Sequence, residues 1–165
     1  MLTKAAHMSF QFPLKYHLFL AKDISVFGTI SMKKIEHIGV AVADIEKAEK
    51  IFSTIFQQAP YKSEKVVSES VKTTFFKVGE SKLELLSATN NNSPITKFLS
   101  KNKEGMHHIA FTVEDIKKEM ERLKKEGIRL LNENPKTGAD NKLICFLHPK
   151  DTNGVLIELC QEINL

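Results

Sequence analysis

Two stretches of the chain, KIEHIGVAVADI (Lys34 to Ile45) and GMHHIAFTVEDI (Gly105 to Ile116), carry one pattern. A histidine opens an apolar, partly β-branched run, and an aspartate follows it by seven residues: His37 with Asp44, and His108 with Asp115. Such a run reads as a strand, and the aspartate as an N-cap that accepts from the first free amides of a helix. Apolar residues then recur at helical spacing, at Ile45, Ala48, Ile51, Phe52 and Ile55 in the first copy and at Ile116, Met120 and Leu123 in the second, where Gly127 marks a stop. A chain that repeats a strand–helix unit must bury two equivalent faces, so the repeat constrains the fold more than any other feature.

Both copies return to strands. VKTTFFKV and KLELLS (Val71 to Val78, Lys82 to Ser87) flank a Gly79-Glu80 turn, and KLICFLH and GVLIELCQ (Lys142 to His148, Gly154 to Gln161) flank a Pro-, Asp- and Gly-containing turn. A further short strand is expected before each pair, near Lys62 to Val67 and near Arg129 to Asn132. The fold class is α+β, with two tandem βαβββ modules at about 33–89 and 104–163. A polar linker at about 90–103 joins them and encloses a short helix started by Ser93-Pro94. The domain takes residues 32–165. Residues 1–31, with three lysines, one acid and many aromatics, form an N-terminal extension of unknown role.

The repeat extends to two carboxylates. Glu84, in LEL, lies 47 residues after His37, and Glu158, in IEL, lies 50 residues after His108. A carboxylate inside an apolar strand is costly unless it is paired or bound to a metal. Two of them at equivalent positions, matched by two equivalent histidines, point to one site between the modules. A pseudo-twofold brings His37, Glu84, His108 and Glu158 together, and such a donor set suits divalent cobalt, nickel, zinc, iron or manganese. His107 competes with His108, but the alignment sets Glu36 against His107, and strand alternation then turns His107 away from the ligands.

Composition removes other classes. At 42% hydrophobic and 27% charged the chain is an ordinary globular one. A net charge of +4, spread among glutamates, gives no nucleic-acid surface. No apolar run is long enough to span a bilayer, so no membrane partner is expected. Cys145 and Cys160 fall in apolar strands and read as buried free thiols in a reducing compartment. The localisation expected is cytoplasmic, or the mitochondrial matrix in a eukaryote.

These motifs resemble the vicinal oxygen chelate superfamily, which includes glyoxalase I, extradiol dioxygenases, antibiotic resistance proteins and methylmalonyl-CoA epimerases. Along IEHIGVAVADIEKA, SPITKFL, GMHHIAFTVEDI and the HPKDTNG turn before GVLIEL, the chain is most similar to the epimerase family. The resemblance covers Lys33 to about Ile163.

The resemblance implies metal-dependent interconversion of (2R)- and (2S)-methylmalonyl-CoA by proton abstraction at C2. It implies one divalent ion per chain, Co2+ first and Ni2+, Mn2+ or Zn2+ as alternatives, held by His37, Glu84, His108 and Glu158. Some members carry Gln at the position of Glu84. Glu158 is the first choice as a catalytic base. The family's second carboxylate would fall near Thr73, which cannot serve, so Glu69, the nearest acid upstream, is the candidate second base. His148 and Lys150 are candidate contacts to the acyl-CoA tail, and a homodimer is expected.

The alternative is a lactoylglutathione lyase of the glyoxalase I type, which needs an anchor for glutathione carboxylates in a chain with only Arg122 and Arg129. An iron(II) dioxygenase would use three protein ligands, and a metal-free binding module would need none of the four.

Overall fold

The structure, a computed structural model, describes residues 31–163; the expected extension at residues 1–31 lies outside the described residues except for Ser31. The strands are β1 (Met32–Ala41), β2 (Lys62–Val66), β3 (Val71–Val78), β4 (Ser81–Ala88), β5 (Gly105–Val113), β6 (Lys136–Thr137), β7 (Lys142–Leu147) and β8 (Ile157–Glu162). The helices are α1 (Ile45–Phe56), α2 (Pro94–Leu99) and α3 (Ile116–Lys125). All eight strands join one mixed sheet in the order β2-β3-β4-β1-β5-β8-β7-β6. The two modules meet at its centre, where β1 runs antiparallel to β5. Each of these strands pairs on its other side, in parallel, with the last strand of its own module.

The caps and the strand–helix repeat are as expected. Asp44 accepts from Lys47 N at 2.9 Å and Asp115 from Lys118 N at 3.0 Å, caps that typically stabilise a helix by about 1 kcal/mol. Gly127, at φ 82°, ends the turn after α3. Ser93 caps α2 with Pro94 in its first turn. In α1 the inner face differs from the expected one. Ile45 and Ala48 are buried and pack with Phe52 and Phe56 against Phe76 and Leu85, whereas Ile51 and Ile55 stand exposed. In α3 the expected Ile116, Met120 and Leu123 are buried against Cys145, Leu147 and Leu159.

Two strand expectations change. No strand forms at 129–132. That segment makes one isolated bridge, Leu130 to Leu147, because Asp151 takes the Arg129 backbone N–H at 3.0 Å and Pro135 follows closely. The fourth strand of the second module is the two-residue β6 instead, paired to β7 through Lys136 and Thr137. The final strand starts at Ile157 rather than Gly154, since Asn153 and Gly154, both at positive φ, complete the preceding turn.

The sheet curls until its outer edges meet. Beside β2, Lys62 Nζ and Tyr61 Oη each lie 3.1 Å from the carboxylate of Asp140, which stands between β6 and β7. Glu64 accepts from Asp140 N at 2.7 Å. With α1 and α3 packed on the sheet's outer face, alternation turns His37, Glu84, His108 and Glu158 to its concave side. Among the described residues, no helix is long and apolar enough to cross a membrane.

Candidate functional site

Register places the four expected ligands. Gly39 stands opposite both Glu84 and His108 in the sheet, while Ala110 stands opposite both His37 and Glu158. Each histidine therefore faces a small residue across the module boundary, and each glutamate leans over that same residue from the other side. At Gly39 the space is fully used, since a Cβ there would lie 2.2 Å from His108 Cε1.

The four side chains are buried and converge. His37 Nε2 lies 2.9 Å from His108 Nε2, 3.3 Å from Glu84 Oε2 and 3.7 Å from Glu158 Oε2. His108 Nε2 lies 3.4 Å from Glu84 Oε2 and 3.1 Å from Glu158 Oε2. An ion with bonds of about 2.1 Å separates its donors by roughly 3.0 Å at right angles and 3.4 Å at tetrahedral angles. The observed spacings bracket both values. The donor set fits a divalent ion, and His37, His108 and Glu158 offer ligand atoms all within 4.8 Å of one another.

The two carboxylates also favour protonated rings. Burial works against a charged His37 ring, but the Glu84 charge, then contacts with Glu158 and Glu36, raise its pKa to about 10. His108 is also raised: Glu158 and Glu84 outweigh its burial. Burial favours a neutral Glu158, yet its bonds from His108 and His37 hold its carboxyl well below the usual range.

Reasoning from the sequence missed the groups behind the ligands. A bulge in β1 between Ile35 and His37 breaks alternation, so consecutive residues Glu36 and His37 are both buried. Glu36 Oε2 bonds His37 Nδ1, and Glu36 Oε1 accepts from Lys82 at 2.5 Å. Those bonds overcome its burial and take its pKa down to about 2. The signal available was a charged residue directly before the histidine. Cys160, a buried free thiol like Cys145, donates to Glu158 Oε1 at 3.1 Å.

His107 corrects an expectation. It does not turn away from the ligands: it is half-buried, lines the same cavity, and its Nδ1 lies 3.0 Å from His108 Nδ1. Its ring meets the Phe98 ring edge-on at a centroid distance of 4.9 Å. Burial, reinforced by the neighbouring His108 charge, lowers its pKa to about 4, so it is neutral near pH 7.

The cluster forms the floor of a cavity of about 240 Å³, walled by apolar side chains including Val71, Phe75, Leu86 and Phe146. Glu69 lines this cavity from a 3-10 turn, with Lys136 Nζ 3.1 Å from its carboxylate. Thr73 lines it too. Its hydroxyl is buried and has no partner among the described residues, the arrangement expected of a group left for a ligand.

The turn residues proposed for acyl-CoA contact are placed elsewhere. His148 and Lys150 do not line the cavity; the His148 imidazole accepts from Lys150 N at 3.1 Å and caps the local 3-10 turn. Local capping engages the histidine, while Lys150 stands exposed outside the cavity. Lys136 and Lys142 are the lysines that line the cavity.

Comparison with known proteins gives the same frame. Residues 36–146 match the family described as the glyoxalase/bleomycin resistance protein/dioxygenase superfamily. The mitochondrial methylmalonyl-CoA epimerase of Homo sapiens is 40% identical over 138 residues, covering 82% of this chain and 78% of the human one. The ethylmalonyl-CoA/methylmalonyl-CoA epimerase of Cereibacter sphaeroides is 38% identical, covering 78% of this chain and 97% of its own. A variant of the Streptomyces coelicolor methylmalonyl-CoA epimerase, in complex with 2-nitronate-propionyl-CoA, superposes with a TM-score of 0.78 at 33% identity, covering 82% of this chain and 98% of that one. The chain thus belongs to the methylmalonyl-CoA epimerase family of the glyoxalase/bleomycin resistance/dioxygenase superfamily.

Proposed function

We propose that this chain is a methylmalonyl-CoA epimerase, which takes the C2 proton from one face of a malonyl-type thioester and returns a proton to the other. The observation that carries the reading is a single cavity lined by a convergent His₂Glu₂ cluster and by a separate carboxylate, Glu69. Epimerisation needs stabilised negative charge beside C2 and proton-handling groups on opposite sides of it. The epimerase relatives, one of them bound to an acyl-CoA analogue, support that substrate class.

His37, Glu84, His108 and Glu158 would hold the divalent ion, Co2+ in the first instance, with Ni2+, Mn2+ or Zn2+ as alternatives. When bound, it supplies Lewis-acid stabilisation of the enolate that deprotonation leaves. Glu158 then handles the proton on one face and Glu69 on the other. Lys136 fixes the Glu69 carboxylate at the cavity wall by its 3.1 Å contact. Thr73 offers its unpartnered hydroxyl to a polar atom of the substrate. Apolar walls exclude water from the enolate. The acyl-CoA partner, a homodimeric assembly, and a cytoplasmic or (in a eukaryote) mitochondrial-matrix location complete the proposal.

The test is proton NMR of methylmalonyl-CoA in deuterated water with protein loaded with each metal in turn. Deuterium should enter C2 from both enantiomers. No exchange with any metal, together with isomerisation of a glutathione hemithioacetal, would replace this reading with the glyoxalase one.

A further inference from the structure

Glu36 and His107 occupy the same position in the repeat: each directly precedes a histidine of the cluster. Each also touches the same atom of that histidine. Glu36 meets His37 at Nδ1, and His107 Nδ1 lies 3.0 Å from His108 Nδ1. The far nitrogens, both Nε2, point to each other and to the two carboxylates.

For His108 to present a lone pair at Nε2, its proton must sit on Nδ1. The only role left to His107 Nδ1 across that contact is acceptor, with its own proton on Nε2. The edge-on packing on Phe98 holds the His107 ring in this pose. A carboxylate behind one ring and a neutral imidazole behind the other make the two rings unequal donors, since an anionic acceptor raises the basicity of the ring that donates to it.

We infer that His107 is a positioning residue, which orients His108 and fixes its tautomer for the ion while leaving it the weaker of the two histidine donors. The inference rests on the metal-binding part of the proposed function.

The test compares His107→Phe, which keeps the ring and removes the acceptor, with His107→Asn, whose Oδ1 can stand where Nδ1 stood. Zn2+ and Co2+ affinities are measured by calorimetry, and the His108 Nδ1–H resonance is followed by 15N-edited NMR with and without Zn2+. H107F should lower affinity about 10- to 100-fold, the range for loss of a group behind a ligand, and lose the hydrogen-bonded resonance. H107N should recover most of both. Unchanged affinity together with an unchanged resonance in H107F would overturn the inference. If H107F does not fold, His107→Leu set against H107N makes the same comparison. If the wild-type chain binds no divalent ion, the metal reading falls. In that case a His108 resonance indifferent to residue 107 would sink the His107–His108 link as well, whereas one that follows residue 107 would preserve it.

Discussion

The first module holds its histidine with a carboxylate and borders the cavity with the five-residue strand β2 and the Glu69 turn. The second holds its histidine with an imidazole and reaches the same edge with a strand of two residues. Between these differences lies an identity: Gly39 and Ala110 stand at matching points of the sheet, each with a glutamate on one side and a histidine on the other. The strand register that aims the ligands is common to both halves, while the groups that tune and use them differ. Inversion at one carbon needs two unlike faces, which the proposed mechanism obtains by pairing Glu158 of the cluster with Glu69 outside it.

The largest effect should come from breaking the symmetric part. Replacing Glu158 with Gln removes a charge from the cluster and, under the proposed mechanism, a proton-handling group from the second module. Turnover should fall by about 10²- to 10⁴-fold from the proton-transfer loss alone. His108→Ala should cost more metal affinity than any change at His107, since it deletes a donor rather than the group behind it. A turnover assay checks the first, and elemental analysis after dialysis the second. An emptied H107F alongside a fully loaded H108A would reverse the assigned roles of the two histidines.

Breaking the asymmetric part should show in stereochemistry. Glu69→Gln should slow inversion by about 10²- to 10⁴-fold while leaving C2 exchange of one enantiomer in deuterated water. It should leave metal content unchanged, because Glu69 touches none of the four donors in this structure. Full-rate exchange and inversion of both enantiomers in E69Q would make Glu69 only a partner of Lys136.

The matched small residues give a sharper comparison. Gly39→Ala should displace His108, whose ring atoms lie 2.2 to 2.7 Å from the added Cβ, and lower metal affinity by roughly the 10- to 100-fold expected of a disturbed ligand orientation. Ala110→Gly, at the equivalent point, adds no atoms and should cost only about 0.5–1 kcal/mol of stability. Equal losses in the two variants would show that the halves do not share this geometry.

What was legible in the sequence follows this division. The repeat revealed the modules, their caps and the four convergent side chains, because strand alternation and cap chemistry are local rules. Glu36 was missed and His107 misread because they sit where alternation fails. The bulge beside His37 arises from how β1 pairs with β5, and no residue in KIEHIG announces it. β6 escaped for a related reason: two residues carry no periodicity. At the HPKDTNG turn, exposed loop polarity looks the same whether it serves a substrate or a local cap, and the cap that His148 makes could not be read from the sequence.

His107 should also part from the two cluster histidines, one in each module, in its pH behaviour. With its pKa raised from 6.5 to about 10, His37 stabilises the metal-free fold fully below pH 6.5, a contribution lost as pH rises towards 10. His108, also raised, acts in the same direction. His107, lowered from 6.5 to about 4, is buried neutral, so it costs stability as pH falls from 6.5 towards 4. The melting temperature of metal-free protein should therefore peak near pH 6.5. Metal must displace the protons on His37 and His108, so its affinity should climb with pH, and saturating Zn2+ should flatten the alkaline decline. An alkaline limb equally steep with and without metal would place the ion elsewhere.

The smallest effect is expected from a deletion outside both modules. Every cavity-lining side chain named above falls between Glu36 and Glu158, and β1 opens at Met32, whose register partner is Val113. A chain beginning at Met32 keeps both halves, the four donors, Glu36, His107 and Glu69. Its metal stoichiometry and its rate of C2 exchange should match those of the full chain, measured side by side. The relevant contrast is with G39A, where one added carbon inside the matched register should do more harm than the loss of 31 residues preceding it. If the truncated protein instead precipitates or loses its ion, the aromatic-rich segment covers part of the domain, and the symmetry of the two halves is incomplete without it.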